Sequence, residues 1–241
     1  MIKFINKVLN RALFYDRWTC NVCNKEIFEG YFCKDCQSKI TLISENKCLH
    51  CGRLTPYAVN YCNSCAEKNI NFDKALSVFN YEPPVSYLIQ NFKYQNQKYL
   101  GDYFSKELFN LYKKANLTCD LITFIPMHPS RLEERGYNHA EILSQKFSVL
   151  SGKQVVSCVK KTKETERQAT LSLSKRLKNL SSSFQVDKAL VKGKSILLID
   201  DVLTTGATAD TASKLLKKAG AKRVTVLTVA SVSKTEKTNS N

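Results

Sequence analysis

Two groups of residues in this chain have the types and spacing to do chemistry. Asp200 and Asp201 follow the apolar run Ser195 to Ile199 and directly precede Val202-Leu203 and the stretch Thr204-Thr205-Gly206-Ala207-Thr208. Far upstream, eight of the ten cysteines form four Cys-x-x-Cys pairs: Cys20/Cys23, Cys33/Cys36, Cys48/Cys51 and Cys62/Cys65.

The first group reads as an apolar strand, a loop and a helix. Ala209, Ala212, Leu215, Leu216 and Ala219 repeat at helical spacing, and Gly220 is placed to cap the end. A helix N-terminus offers free N–H groups and a favourable dipole to an anion such as a phosphate monoester. Gly206 lets the backbone approach closely, and Thr204, Thr205 and Thr208 add hydroxyl donors. Two carboxylates at contact distance repel a phosphate, but they suit a sugar diol, or a divalent cation, a few ångströms away. A pentose carrying a 5-phosphate and free 2- and 3-hydroxyls fits both halves.

A Cys-x-x-Cys turn aims two thiolates at one metal ion, and two such turns complete a tetrahedral four-sulfur shell. Four pairs imply two closed zinc sites, most simply Cys20, Cys23, Cys33, Cys36 and Cys48, Cys51, Cys62, Cys65. Each unit is too small for a core of its own, so the metal supplies its folding energy. Sites closed by four thiolates are structural. A disulfide framework is the rival reading, and nothing in the sequence indicates the export that it needs. Cys119 and Cys158 stand alone and read as buried thiols.

The elements that must position these groups follow from periodicity. Lys74 to Tyr81 and Asp120 to Pro126 read as strands, as do Gln154 to Val159, Ser195 to Ile199 and Val224 to Ala230. Leu100, Phe104, Leu108 and Leu111 mark one helix; Ala140, Leu143, Phe147 and Leu150 mark another. Strands apolar on both faces and alternating with helices imply a parallel sheet covered on both sides, an α/β fold in which ligands sit beyond the carboxyl ends of strands.

The net charge is +16, which favours a polyanionic partner: nucleic acid, an anionic membrane or a phosphorylated ligand. Lys160 to Lys178 holds seven basic and two acidic residues and reads as a long basic loop. Ile2, Ile5, Leu9 and Leu13 lie at helical spacing in a basic N-terminal stretch, an amphipathic helix suited to docking or to peripheral membrane contact. No stretch approaches the ~20 apolar residues of a membrane span, so a soluble, cytoplasmic protein is expected.

The segment Ser195 to Thr208 resembles the phosphoribosyl-pyrophosphate (PRPP) signature of type I phosphoribosyltransferases. Two further stretches are similar to the ComF family. One is Arg135-Gly136-Tyr137-Asn138-His139-Ala140 after the Pro126 turn. The other is the spaced series Thr165, Gln168, Arg176, Asn179 and Phe184. The resemblance covers nearly the whole chain. It implies a type I phosphoribosyltransferase fold, a Rossmann-like parallel sheet, with a small N-terminal double zinc ribbon. The implied layout is an amphipathic helix over 1–18, the ribbon over 19–68, the transferase-like domain over 72–232 and a disordered tail over 233–241.

By resemblance, Asp200 and Asp201 bind the ribose hydroxyls, and Thr204, Thr205, Gly206, Ala207 and Thr208 cradle the 5-phosphate. Mg²⁺ rides on the pyrophosphate. The family's geometry puts a pyrophosphate loop after the first sheet strand, here Met127 to Arg131, with Arg131 as a phosphate ligand. The basic loop resembles the flexible loop that closes over PRPP, and its Arg176 reaches the pyrophosphate.

The implied role is DNA uptake in natural transformation, handling single-stranded DNA at the cytoplasmic side of the membrane beside a helicase-like partner. Two alternatives stay open. The chain is an active phosphoribosyltransferase moving ribose 5-phosphate to a nitrogen acceptor, or PRPP is an effector that switches a binding protein.

Overall fold

The computed structural model describes residues 19–161 and 184–233. The N-terminal helix, most of the basic loop with Thr165, Gln168, Arg176 and Asn179, and nearly all of the tail lie outside the described residues.

Four parallel strands form the central sheet. They are β1 (Lys74–Asn80), β2 (Leu121–Phe124), β5 (Ser195–Leu203) and β6 (Arg223–Ser231), in the order β1-β6-β5-β2. β5 and β6 are central and apolar on both faces, so each needs a layer of helices on either side. A small antiparallel ribbon, β3 (Val159–Lys161) with β4 (Phe184–Val186), flanks the undescribed loop, and a short helix, α7 (Lys188–Val191), leads on to β5.

One face carries α8 (Ala207–Lys218) over Leu198, Val224 and Val226. The other carries α3 (Val85–Tyr94), α4 (Leu100–Lys114) and α6 (His139–Ser151) over Leu76, Leu197, Ile199 and Leu227. Phe92, Phe104, Leu108, Leu143 and Phe147 are fully buried there. The apolar series predicted for α4 and α6 thus lands inside, apart from Leu111, which is half-buried, and Leu150, which is 43% exposed at the end of α6.

Two departures from the sequence reading have local causes. The stretch Gln154 to Val159 is not a full strand. Val155 makes a single parallel bridge to Ile122, after which the chain turns to give Val159 to β3. Helix α3 falls in a stretch to which the sequence reading gave no element, although Val85, Leu88, Ile89 and Phe92 lie at helical spacing. Because β1 precedes β2 in the chain, the Met127 to Arg131 turn follows the second strand of the sheet, not the first.

The cysteine turns carry short helices, α1 (Lys34–Gln37) and α2 (Asn63–Ala66), each starting directly after a cysteine. The first unit has its own small core of Cys20, Ile27, Cys33 and Cys36 and meets α4 through Tyr31 and Phe32 against Tyr103. The second merges with the core under α8: Cys48, Cys51 and Cys65 pack with Phe72, Leu203, Ala209 and Ala212. No helix among the described residues is long and apolar enough to cross a membrane.

Phe104 ties α4 to the sheet and stands edge-on to Phe92 of α3. Phe104→Ala is expected to cost about 3–5 kcal/mol, read as a lower urea midpoint with an unchanged slope.

Candidate functional site at the carboxyl end of β5

β5 ends in Asp200 to Leu203, and the chain then bends through Thr204, Thr205 and Gly206 into α8. Gly206 has φ +82°, a left-handed value that favours glycine, and it is the N-cap of the helix. The Thr205 hydroxyl accepts from the Ala207 N–H at 3.3 Å, and Asp210 N–H closes the first turn on the Gly206 carbonyl at 2.8 Å. Thr204 and Thr205 are exposed, and Gly206, Ala207 and Thr208 are half-buried. The five loop residues therefore present hydroxyls and helix-start amides at an accessible turn.

The two aspartates have different surroundings. Asp201 is buried, on the α3/α6 face of the sheet. Lys93, near the end of α3, places Nζ 2.7 Å from its Oδ1, and His139, the first residue of α6, places Nε2 3.2 Å from its Oδ2. Asp200 is half-buried, and its Oδ1 accepts the Asp201 N–H at 2.8 Å. Burial, with the Asp201 charge beside it, pushes the Asp200 carboxyl up to about 8 against the opposing pull of Lys93. Burial likewise brings His139 down to about 4, and Lys93 and Arg135 add to that effect. Burial works to lower the Lys93 ammonium, but Asp201 outweighs it and the net direction is up. The centre thus joins an Asp201–Lys93 ion pair, a His139 held toward its neutral form and an Asp200 carboxyl held toward its protonated form. An acid pair arranged in this way repels a nearby phosphate far less than two free carboxylates.

The Arg135 to Ala140 segment supplies the scaffold. Gly136, at φ +74°, terminates α5 (Pro129–Arg135). The Tyr137 hydroxyl donates to the Phe92 carbonyl at the end of α3. Asn138 caps α6 by accepting from Ala140 N–H at 3.0 Å, and its amide donates to the Ile125 carbonyl at 3.1 Å beyond β2. His139 is thereby delivered to Asp201. Arg135 lies over the Tyr94 ring at 4.7 Å and reaches its hydroxyl at 3.3 Å.

Arg131 lies in the first turn of α5, whose N-cap is His128, beyond the carboxyl end of β2. Because β2 pairs with β5 in parallel, Phe124 opposite Ile199, the Met127 to Arg131 segment shares the sheet edge of the aspartates. Arg176 lies outside the described residues. Sequence reasoning missed Lys93, which carries no motif, and gave His139 no role although its segment had been singled out. It also missed Arg53, which follows Cys51 by two positions and whose Nη2 donates to the Thr204 carbonyl.

The eight cysteines gather as two groups, Cys20, Cys23, Cys33, Cys36 and Cys48, Cys51, Cys62, Cys65, with all sulfurs in each group within 4.8 Å of one another. The separations Cys23–Cys33 3.7 Å, Cys51–Cys62 3.8 Å and Cys48–Cys65 3.9 Å match the ~3.8 Å edge of a tetrahedron with ~2.3 Å zinc–sulfur bonds. The donor set therefore fits zinc, with no open position for chemistry.

Comparison with known proteins agrees with this architecture. Residues 11–66 match the double zinc ribbon domain and residues 132–241 the phosphoribosyl transferase domain. The chain is 34% identical over 211 residues to Competence protein F of Haemophilus influenzae, covering 84% of this chain and 91% of that protein. The chain belongs to the ComF family. It is 29% identical to the DNA utilization protein YhgH of Escherichia coli K12, over 86% of this chain and 94% of the relative. It is 28% identical to Competence protein ComFC of Streptococcus pneumoniae, over 81% and 86%. The fold of this ComF chain is thus a type I phosphoribosyltransferase sheet with an N-terminal double zinc ribbon.

The two shifted groups have opposite consequences for stability. Asp200 is raised from about 4 to about 8, so it binds more protons folded than unfolded and stability falls with pH across that range. His139 is depressed from 6.5 to about 4, so its contribution is present above 6.5 and is lost as pH falls toward 4. The two slopes oppose one another below pH 6.5, and of the two only Asp200 titrates from 6.5 to 8. Chemical denaturation at stepped pH is expected to show a loss of about 1–2 kcal/mol between pH 6.5 and 8. Asp200→Asn removes that loss and leaves a rise between pH 4 and 6.5.

Proposed function

We propose that this protein binds PRPP at the β5–α8 turn and serves DNA uptake by handling single-stranded DNA at the cytoplasmic face of the membrane. The observation that carries the reading is the juxtaposition of an acid pair with a Gly206-capped helix start at the carboxyl end of a central parallel strand. The turn of Thr204, Thr205, Gly206, Ala207 and Thr208 takes the 5-phosphate. Asp200, the more accessible acid, meets the 2- and 3-hydroxyls first. Asp201 joins it by giving up part of its hold on Lys93 or His139. Lys93 then becomes available to the pyrophosphate, together with Arg131 from the β2 side and Arg176 from the basic loop. Mg²⁺ enters with the pyrophosphate. Zinc fills both cysteine groups and supplies folding energy there.

The role in transformation comes from the competence and DNA utilization relatives. The chain's own chemistry supports a nucleic-acid partner: a charge of +16, and exposed rings at Phe28, Tyr57 and Tyr61 on the ribbons, where bases can stack. A helicase-like partner and peripheral contact through residues 1–18 complete the proposal. Transfer of ribose 5-phosphate to a nitrogen acceptor is the alternative use of the same site, and pyrophosphate release with candidate bases distinguishes the two.

Calorimetric titration with PRPP and Mg²⁺ tests the site. Wild-type protein is expected to bind, and Asp200→Asn/Asp201→Asn to bind at least tenfold more weakly while keeping its fold. Equal affinity would remove the acid pair from the site. Single-stranded DNA affinity is expected to fall steeply between 50 and 200 mM salt, and a flat salt titration would exclude phosphate contacts as the basis of binding.

A further inference from the structure

The second cysteine ribbon reaches the anion turn. Gly52 has φ +69°, and a Cβ there would lie 2.6 Å from the Ala75 carbonyl oxygen and 2.8 Å from Leu76 Cα. The ribbon turn is therefore pressed backbone to backbone on β1, where the Ala75 N–H donates to the His50 carbonyl at 2.7 Å. The same turn closes on itself through Gly52 N–H to Cys48 O at 2.8 Å and Cys48 N–H to Arg53 O at 2.9 Å. These bonds tie the Arg53 backbone to a turn that carries two of the four thiolates.

The Arg53 side chain passes beneath the turn that leads into α8. The residue is 5% exposed, Nη2 donates to the Thr204 carbonyl, and the same nitrogen lies 3.5 Å from where a Cβ on Gly206 would stand. Nε is buried without a partner, and among the described residues the guanidinium meets no carboxylate. A buried, uncompensated cation is costly, and an anion seated on the turn above it relieves that cost. A second tie runs parallel to the first. Asn71 donates to Asp210, in the first turn of α8, from its backbone N–H at 2.5 Å and from its side-chain amide at 3.0 and 3.1 Å.

We infer that the Cys48/Cys51/Cys62/Cys65 cluster and the Thr204–Thr208 turn form one coupled unit, with Arg53 as the positioning residue between them. Metal in the cluster fixes the ribbon turn, the turn fixes Arg53, and Arg53 holds the Thr204 to Gly206 backbone and lends it positive charge. The inference rests on the proposed sugar-phosphate site. It requires reciprocity: zinc in the second cluster tightens sugar-phosphate binding, and a bound sugar phosphate tightens zinc by the same factor.

The test uses the full chain loaded with zinc. Ribose 5-phosphate affinity is measured by calorimetry for wild type, Arg53→Met and Arg53→Lys, with zinc content and thermal midpoint as folding controls. Arg53→Met is expected to keep two zinc ions per chain and to bind ribose 5-phosphate at least tenfold more weakly, with partial recovery in Arg53→Lys. In wild type, saturating ribose 5-phosphate is expected to make one of the two zinc ions harder to remove in equilibrium chelator competition, an effect absent in Arg53→Met. Wild-type binding matched by Arg53→Met, or zinc competition indifferent to bound ribose 5-phosphate, overturns the coupling and leaves the site reading intact. Failure of the wild-type chain to bind the sugar phosphate overturns both.

Discussion

The centre of this molecule is governed by a charge constraint. Asp200 and Asp201 are consecutive at the end of a strand whose preceding residues are buried on both faces. Two free carboxylates there would be costly to desolvate and would repel one another. The fold removes the difficulty by separating them across the sheet. Asp201 enters the α3/α6 face and is met by Lys93 and His139, while Asp200 stays half-buried with its carboxyl held toward the protonated form. Much of the surrounding architecture serves this balance. Helix α3 ends beside the site to bring Lys93, and the Arg135 to Ala140 segment binds α3, β2 and α6 together so that His139 starts its helix against Asp201.

The same balance bears on the proposed sugar-phosphate site. An anion at the α8 start lies only a few residues beyond an acid pair, which by simple counting carries two negative charges. With Asp201 paired to Lys93 and Asp200 held toward its protonated form, the acid pair adds little net charge beside the turn. The helix-start amides, the threonine hydroxyls and the Arg53 guanidinium then set the local field. A diol at the proposed site would still find oxygen acceptors on Asp200, because protonation leaves one oxygen with its full accepting capacity. The carboxylates thus retain hydrogen-bonding specificity without the long-range repulsion.

The strand-to-helix handover was legible in the sequence because it is local. An apolar run, two acids, a glycine at a left-handed position and a helical repeat all fall within Ser195 to Gly220. The cysteine groups were legible for the same reason, since each thiolate pair lies on one tight turn. What was not legible comes from residues distant in the chain. Lys93 sits 108 positions before Asp201, and Arg53 sits 151 positions before Thr204. No spacing marks either, and only the folded sheet brings them to the site. The Gln154 to Val159 stretch misled for a related reason. Its β-branched residues suit a strand, but strand formation depends on a continuous partner, and here the chain leaves β2 after one bridge.

The two ribbons, alike in sequence, occupy unlike positions. The first closes its own small core and touches the transferase-like body through aromatic contacts to α4 and a Tyr99 to Asn21 hydrogen bond of 2.5 Å. The second has no separate core, because its cysteines are packed into the layer beneath α8. A unit that shares its core with α8 cannot shift without moving that helix, whereas the first unit keeps a core of its own and meets the main core through half-buried Val22, Tyr31, Phe32 and Ile40. The two ribbons of this chain therefore have different mechanical standing: the second is built into the core beneath α8, and the first, with Phe28 83% exposed, presents a surface. The order of the elements fits that division. The second ribbon runs almost directly into β1, and β1 pairs with β6, the strand that also pairs with β5 and its turn.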